Sequence, residues 1–190
     1  AVQKKIIRTT VMNGKPVITD TQMLDSMERN PVPTRAEVSD VANAIFDGTS
    51  AVMLSGETAV GAHPVESVKT IAALASHAEK SLHEYGHLQN VRPDPENEVS
   101  EAVGQAAHTM ATHLHAAAIL TLTETGFTSR MISKYRPPCP ILAVTESSPV
   151  ERRLCMNWGI TALRFEAEGG DEDKIAFGIQ RAREIGYVAA

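Results

Sequence analysis

The order of apolar and polar positions predicts a chain of alternating helices and strands. Val2, Ile6, Ile7 and Val11 recur at helical spacing, so residues 1–13 read as the end of a helix that Gly14 stops. Pro16 to Thr21 follow as a short β-rich strand. Pro33 and the Thr34–Glu37 pair, at the T-x-x-E spacing of a capping box, open a helix to about Phe46. Asp47 and Gly48 turn the chain into the apolar run Ala51 to Leu54, and Pro64 suits the first turn of a helix expected to end near Gly86.

Strand, helix, strand, helix with short connections implies parallel strands joined by right-handed crossovers. Two such strands can neither cover both faces of a sheet nor close a barrel, so residues 1–86 are expected to need partners outside this sequence. Residues 87–97, polar and rich in Pro, have the marks of a linker. From 98 to 190 the pattern resumes: helix 98–114, strand 116–122, helix 129–135, strand 141–144, helix 150–157, strand 160–165 and helix 171–185, a small three-layer α/β domain. No internal repeat and no low-complexity segment interrupts it.

Composition narrows the function. With 43% hydrophobic and 22% charged residues the chain can bury a sizeable core. A net charge of −5 with no basic run longer than the pair Lys4–Lys5 gives no footprint for nucleic acid or an anionic membrane. No apolar run reaches the roughly 18 residues of a bilayer span, and no secretory signal pattern opens the chain, so a cytoplasmic location is expected. Cys139 and Cys155 do not form a CxxC pair and are expected as buried free thiols. The sequence starts without Met inside an amphipathic pattern, which does not suit a natural N-terminus.

Two stretches carry a specific resemblance: PVITDTQMLDSM at 16–27 and PTRAEVSDVANAIFDGTSAVMLSGETAVG at 33–61, including Thr21, Gln22, Arg35, Ser55, Gly56 and Glu57. Both resemble pyruvate kinase of bacterial type, and the resemblance implies that this is its C-terminal portion. The implied fold is the last strand-helix units of a TIM (β/α)8 barrel followed by a three-layer α/β regulatory domain. The implied reaction is phosphoryl transfer from phosphoenolpyruvate to ADP, giving pyruvate and ATP, in a homotetramer that uses Mg²⁺ and K⁺.

Residues at the C-terminal ends of barrel strands share one mouth. The resemblance places Thr21 on the enolate-protonation side, and threonine being a poor acid, a water relay suits it better than direct donation. Ser55 and Glu57 are similar to the residues that complete this side of the pocket by binding water and fixing the turn, and Gly56 permits close backbone approach. On the residues alone, Thr21 caps the following turn and Glu57 pairs with a cation such as Arg35. The phosphoryl-binding lysine and the metal ligands are implied to lie upstream of Ala1, so no metal-ligating residue is assigned in this chain, which alone is expected to be inactive. Asp20 departs from the family, where Ala is usual. A carboxylate there is expected to turn outward toward a cation, and Asp20→Ala to raise turnover or stability.

TLTETGFTSRMISKYRP at 121–137 places Thr123, Thr125 and Thr128 around Gly126 just before a helix, an arrangement able to hold a phosphate. It resembles the effector loop of pyruvate kinases, so a phosphorylated small molecule is the expected ligand; capping of the helix by Thr128 is the other reading. Glu124 does not favour an anion unless it points to solvent. His83 to His87 spell H-E-x-x-H, yet Gly86 inside the pattern argues against a zinc helix. Arg152 and Arg153 read as a solvated helix face more than as contacts to an effector or a subunit interface, and Trp158 as core. The reading from a different class is a non-catalytic phosphate-binding regulatory module, disfavoured by its orphan barrel strands.

Overall fold

The computed structural model describes residues 2–20, 22–86 and 95–188. They form two compact units, residues 1–11 with 16–90 and residues 12–15 with 91–190.

The first unit begins with most of α1 (Val2–Met12), whose Ile7 and Val11 are buried. β1 (Ile18–Thr19) pairs in parallel with β2 (Ala51–Val52), Ile18 opposite Ala51. Both strands are shorter than the sequence pattern predicts, while their extensions at Asp20 and Met53 stay close, Met53 N–H donating to Thr19 O at 3.0 Å. Between them α2 (Arg35–Asp47) opens on the Thr34–Glu37 capping box and closes on Gly48 at φ 93°. Left-handed backbone there suits glycine, which has no Cβ to crowd the carbonyl.

The SGETA turn after β2 is a single helical turn, α3 (Gly56–Ala59). α4 starts at Pro64 and ends at Glu79, short of the expected Gly86, and α5 (Leu82–Tyr85) follows as a separate turn. Met23, Leu24, Met27, Val41, Ala44 and Ile71 form the core, with Val52 and Leu54 packed against it. This core fixes the segment after β1 against α2 and α4, and so sets where the strand ends point.

In the second unit α6 (Glu98–His113) precedes β3 (Ile119–Leu122), α7 (Phe127–Lys134), β4 (Ile141–Thr145), α8 (Ser148–Leu154), β5 (Ile160–Arg164) and α9 (Asp171–Glu184). The strands form one parallel sheet, ordered β3-β4-β5. Every residue of β4 is buried, as a central parallel strand covered on both faces must be. Leu142 and Val144 pack with Phe165, Phe177 and Ala182 on the α9 side, and Ala143 packs with Val150 and Leu154 of α8 on the other. These are the expected three layers.

α6 and α7 are locked by a buried ion pair. Lys134 Nζ meets Glu101 Oε1 with both side chains 1% exposed, and Tyr135 Oη donates to Glu101 Oε2 at 2.6 Å. Burial, then the bond and charge of Glu101, push the Tyr135 hydroxyl well above its ordinary pKa. Three expectations need correction. Cys155 is exposed while Cys139 alone is buried. Trp158 is only half-buried, and the Arg136 guanidinium stacks 4.8 Å from its ring, so it shields a cation instead of filling the core. α7 begins at Phe127, two residues before the expected start, because Gly126 reverses the chain at φ 81°.

Candidate functional site

At the C-terminal ends of β1 and β2 the first unit gathers Asp20, Gln22, Ser55, Gly56 and Glu57. Glu57 is 3% exposed, and both its oxygens are engaged: Oε1 accepts from Leu24 N–H at 3.0 Å and Oε2 from Ser55 N–H at 2.8 Å. The carboxylate therefore ties the turn after β1 to the turn after β2. The expected ion pair with a cation such as Arg35 is replaced by this backbone clamp. Gln22 lies in the left-handed region at φ 56°, an uncommon conformation for a residue with a Cβ.

At Gly56 the Glu28 side chain lies close over the backbone. A Cβ there would lie 1.7 Å from Glu28 Oε1. Ala62 N–H donates to Glu28 O at 2.8 Å, so the whole 56–62 turn docks on the 3₁₀ segment Asp25–Glu28.

Ser55 is exposed and its hydroxyl donates to Asp20 Oδ1 at 3.2 Å. Asp20 turns outward as expected, but not toward a cation. Its carboxylate is exposed, so no burial cost arises, and its partner is the Ser55 hydroxyl instead of a cation. Thr21, between Asp20 and Gln22, lies outside the described residues.

Glu37 braces this region from the side. It accepts from Ser26 N–H at 2.7 Å, Ser26 Oγ at 2.6 Å, Thr34 N–H at 2.6 Å and Thr34 Oγ1 at 2.7 Å. Burial pushes its carboxyl up, but the bonds from Ser26 and Thr34 outweigh it and hold the pKa at about 2.

The second unit presents the Thr123–Thr128 loop. Thr123 Oγ1 accepts from Gly126 N–H at 2.9 Å and Thr125 Oγ1 from Phe127 N–H at 3.4 Å. Gly126 is the N-cap residue, so Thr128 sits inside the first turn, exposed, and does not cap the helix. Gly126 is also packed closely: a Cβ would meet Leu154 Cδ2 at 3.0 Å. Glu124 points to solvent.

Sequence reasoning missed Arg130 here and favoured a solvated face for Arg153 over contact with an effector. Arg153 Nη2 donates to Thr125 O at 3.3 Å, so it borders the loop and is not merely part of a solvated face. Arg130, one turn into α7, lies over the Phe127 ring at 5.8 Å. Its pKa is lowered by burial and then by the charge of Arg153. Two guanidiniums that repel each other beside a hydroxyl-rich helix start make an electropositive corner. The one-turn offset of Arg130 from Gly126 was available in the sequence; the reach of Arg153 depends on how α8 packs. Arg152, by contrast, bonds its own helix, Nη1 to Ser148 Oγ at 3.1 Å.

Of the H-E-x-x-H pattern, the helix that would carry it ends at Tyr85, and Gly86 is extended at φ −67°, ψ 134°. His87 lies outside the described residues. Among the described residues no three His, Cys, Asp or Glu side chains gather as a metal site. None of the described helices is long and apolar enough to cross a membrane.

Comparison with known sequences decides the family. The profile described as pyruvate kinase, barrel domain, matches residues 1–68, and that described as pyruvate kinase, alpha/beta domain, matches 101–190. The chain belongs to the pyruvate kinase family. It is 47% identical to the pyruvate kinase of Clostridium acetobutylicum over 187 residues, 98% of this chain and 40% of that protein. Against that of Geobacillus stearothermophilus it is 53% identical over 159 residues, 84% of this chain and 27% of that protein. A solved pyruvate kinase from Cryptosporidium parvum superposes with a TM-score of 0.85 at 37% identity, covering 98% of this chain and 38% of that one. The chain thus spans well under half the length of these relatives. The fold read as the end of a pyruvate kinase barrel plus its α/β domain is what the profiles and the superposition show.

Proposed function

We propose that this chain supplies one side of the active site and the effector-binding part of a pyruvate kinase, which transfers the phosphoryl group of phosphoenolpyruvate to ADP. The observation that carries the reading is the convergence of Asp20, Ser55 and Glu57 at the ends of two paired parallel strands, inside the segment matched by the barrel profile. In a barrel of this kind, strand ends are where chemistry is done.

After phosphoryl transfer, enolpyruvate needs a proton at its methylene carbon. Thr21 is assigned to the relay that delivers it, Ser55 to holding a water of that relay, and Glu57 to fixing both turns. A hydroxyl is a weak acid but a good conduit, because it accepts and donates at once. Mg²⁺ and K⁺ belong to this reading as the ions that neutralise the transferring phosphoryl group. No residue of this chain is assigned to either ion.

In the second unit Thr123, Thr125, Gly126 and Thr128 are assigned to the phosphate of an effector, supported by the flanking Arg130 and Arg153. Residues 1–86, 87–97 and 98–190 are taken as barrel part, linker and regulatory domain of a cytoplasmic homotetramer.

The test is a graft. The 187 matched residues replace their counterparts in the Clostridium acetobutylicum enzyme, and pyruvate formation is followed with phosphoenolpyruvate and ADP. We expect turnover, lowered by Thr21→Ala. A folded tetrameric graft without turnover, whose Thr123 loop still binds phosphate, would favour the non-catalytic regulatory module instead.

A further inference from the structure

Ser55 is held at three points. Glu57 takes its backbone N–H at 2.8 Å, its carbonyl accepts Ala59 N–H at 3.0 Å, and Asp20 takes its hydroxyl proton at 3.2 Å. A serine hydroxyl has one proton and two lone pairs. With the proton directed at a carboxylate, the exposed oxygen presents only lone pairs to whatever enters the mouth.

We propose that Asp20 is a positioning residue that turns the Ser55 hydroxyl into an acceptor, making this corner a seat for a hydrogen-bond donor, a water molecule, and not for an anionic oxygen of the substrate. The proposal rests on the reading of this mouth as the proton-delivery side of a pyruvate kinase. At 3.2 Å the bond is long for one made to a carboxylate, so its effect is directional more than energetic. The negative charge of Asp20 adds to the selection: it disfavours a phosphate or carboxylate oxygen at the same spot and favours the positive end of a water dipole. Asp20 therefore has two separable effects, one on the direction of a hydrogen bond and one through charge.

Two variants separate them. Asp20→Asn keeps an acceptor oxygen but loses the charge; Asp20→Ala loses both. In the graft described above, phosphoenolpyruvate KM reports the charge, and exchange of pyruvate methyl protons with deuterated solvent reports the proton relay. We expect KM to fall in both variants. Exchange should slow about threefold to tenfold in Asp20→Ala, the loss of one directing hydrogen bond. Asp20→Asn should recover most of that loss, and Asp20→Ala should slow exchange no further when Ser55→Ala is already present. Equal exchange in Asp20→Asn and Asp20→Ala, or additive losses in the double variant, would overturn the proposal.

A second measurement does not depend on catalysis. In the graft, three-bond couplings of the Ser55 side chain should show one rotamer in the native sequence and in Asp20→Asn, and averaging in Asp20→Ala. Averaging in the native sequence would overturn the proposal even in an active graft. A fixed Ser55 in the native sequence with an inactive graft would instead count against the catalytic reading.

Discussion

A carboxylate whose two oxygens each accept a backbone N–H has little left to offer a ligand, and Glu57 is in that position. Its burial explains why a charged residue is needed: Leu24 N–H and Ser55 N–H face inward at a place where neither strand extends far enough to pair them. One acidic side chain satisfies both and fixes the distance between the two turns. Removing it strands the buried Leu24 N–H, at about 1–3 kcal/mol, and takes the partner from the part-buried Ser55 N–H. Glu57→Ala should therefore lower the unfolding free energy of the chain by a few kcal/mol, measured by denaturant titration. Glu57→Gln should lower it less, because the amide oxygen retains one of the two bonds. Unchanged stability in Glu57→Ala would mean that the carboxylate serves a ligand and not the fold.

Among the elements, α2 and the α6–α7 pair rest on acidic residues in opposite circumstances. Glu37 is partly exposed, and its four hydrogen bonds bring its pKa from 4.5 to about 2 against the opposing effect of burial. The folded state binds this proton less readily than the unfolded chain, so the contribution is complete above about pH 4.5 and is lost as pH falls toward 2. The stability gap between the native sequence and Glu37→Gln should accordingly be widest near neutrality and close over that acid window. A gap that does not change with pH would show that Glu37 acts through shape alone. Glu101 and Lys134 are fully buried, where desolvation of both charges offsets much of their attraction. Lys134→Met leaves Glu101 charged without its cation and should cost about 3–5 kcal/mol, while Lys134→Met with Glu101→Leu should recover most of it in the same denaturant titration. A double variant as unstable as the single one would mean that Tyr135, which also bonds Glu101, carries the lock.

For the molecule as a whole, the sequence reveals what local rules decide and hides what packing decides. The capping box at Thr34, the Gly48 stop, the Pro64 start and the parallel β3-β4-β5 alternation each follow from a few adjacent residues, and each is present. The reach of Glu57 to Leu24 N–H, the Asp20–Ser55 bond and the reach of Arg153 to Thr125 join residues 28 to 35 positions apart, and no periodicity announces them. The Thr123–Thr128 loop lies between these cases. Its hydroxyls and Arg130 are legible, but Arg153 is placed beside them only once α8 is packed, and the two arginines make the strongest test of whether an anion binds. A ligand that binds the folded chain alone raises stability by RT ln(1 + [L]/Kd), about 2.7 kcal/mol at a hundredfold excess over Kd. For a chain of this size that is a rise in melting temperature of roughly 5–10 °C. Inorganic phosphate also stabilises proteins nonspecifically by exclusion from their surfaces, so a rise alone decides nothing. The informative comparison is between a sugar bisphosphate and chloride at equal ionic strength, in the native sequence and in Arg153→Ala. We expect a saturable rise in the native sequence that shrinks by more than half in the variant, because the loop loses the guanidinium next to Thr125 while Thr123 and Thr125 keep their hydroxyls. An equal rise in both proteins would place the anion elsewhere or nowhere, and the threonines would then be fully accounted for by the two N–H groups they already cap.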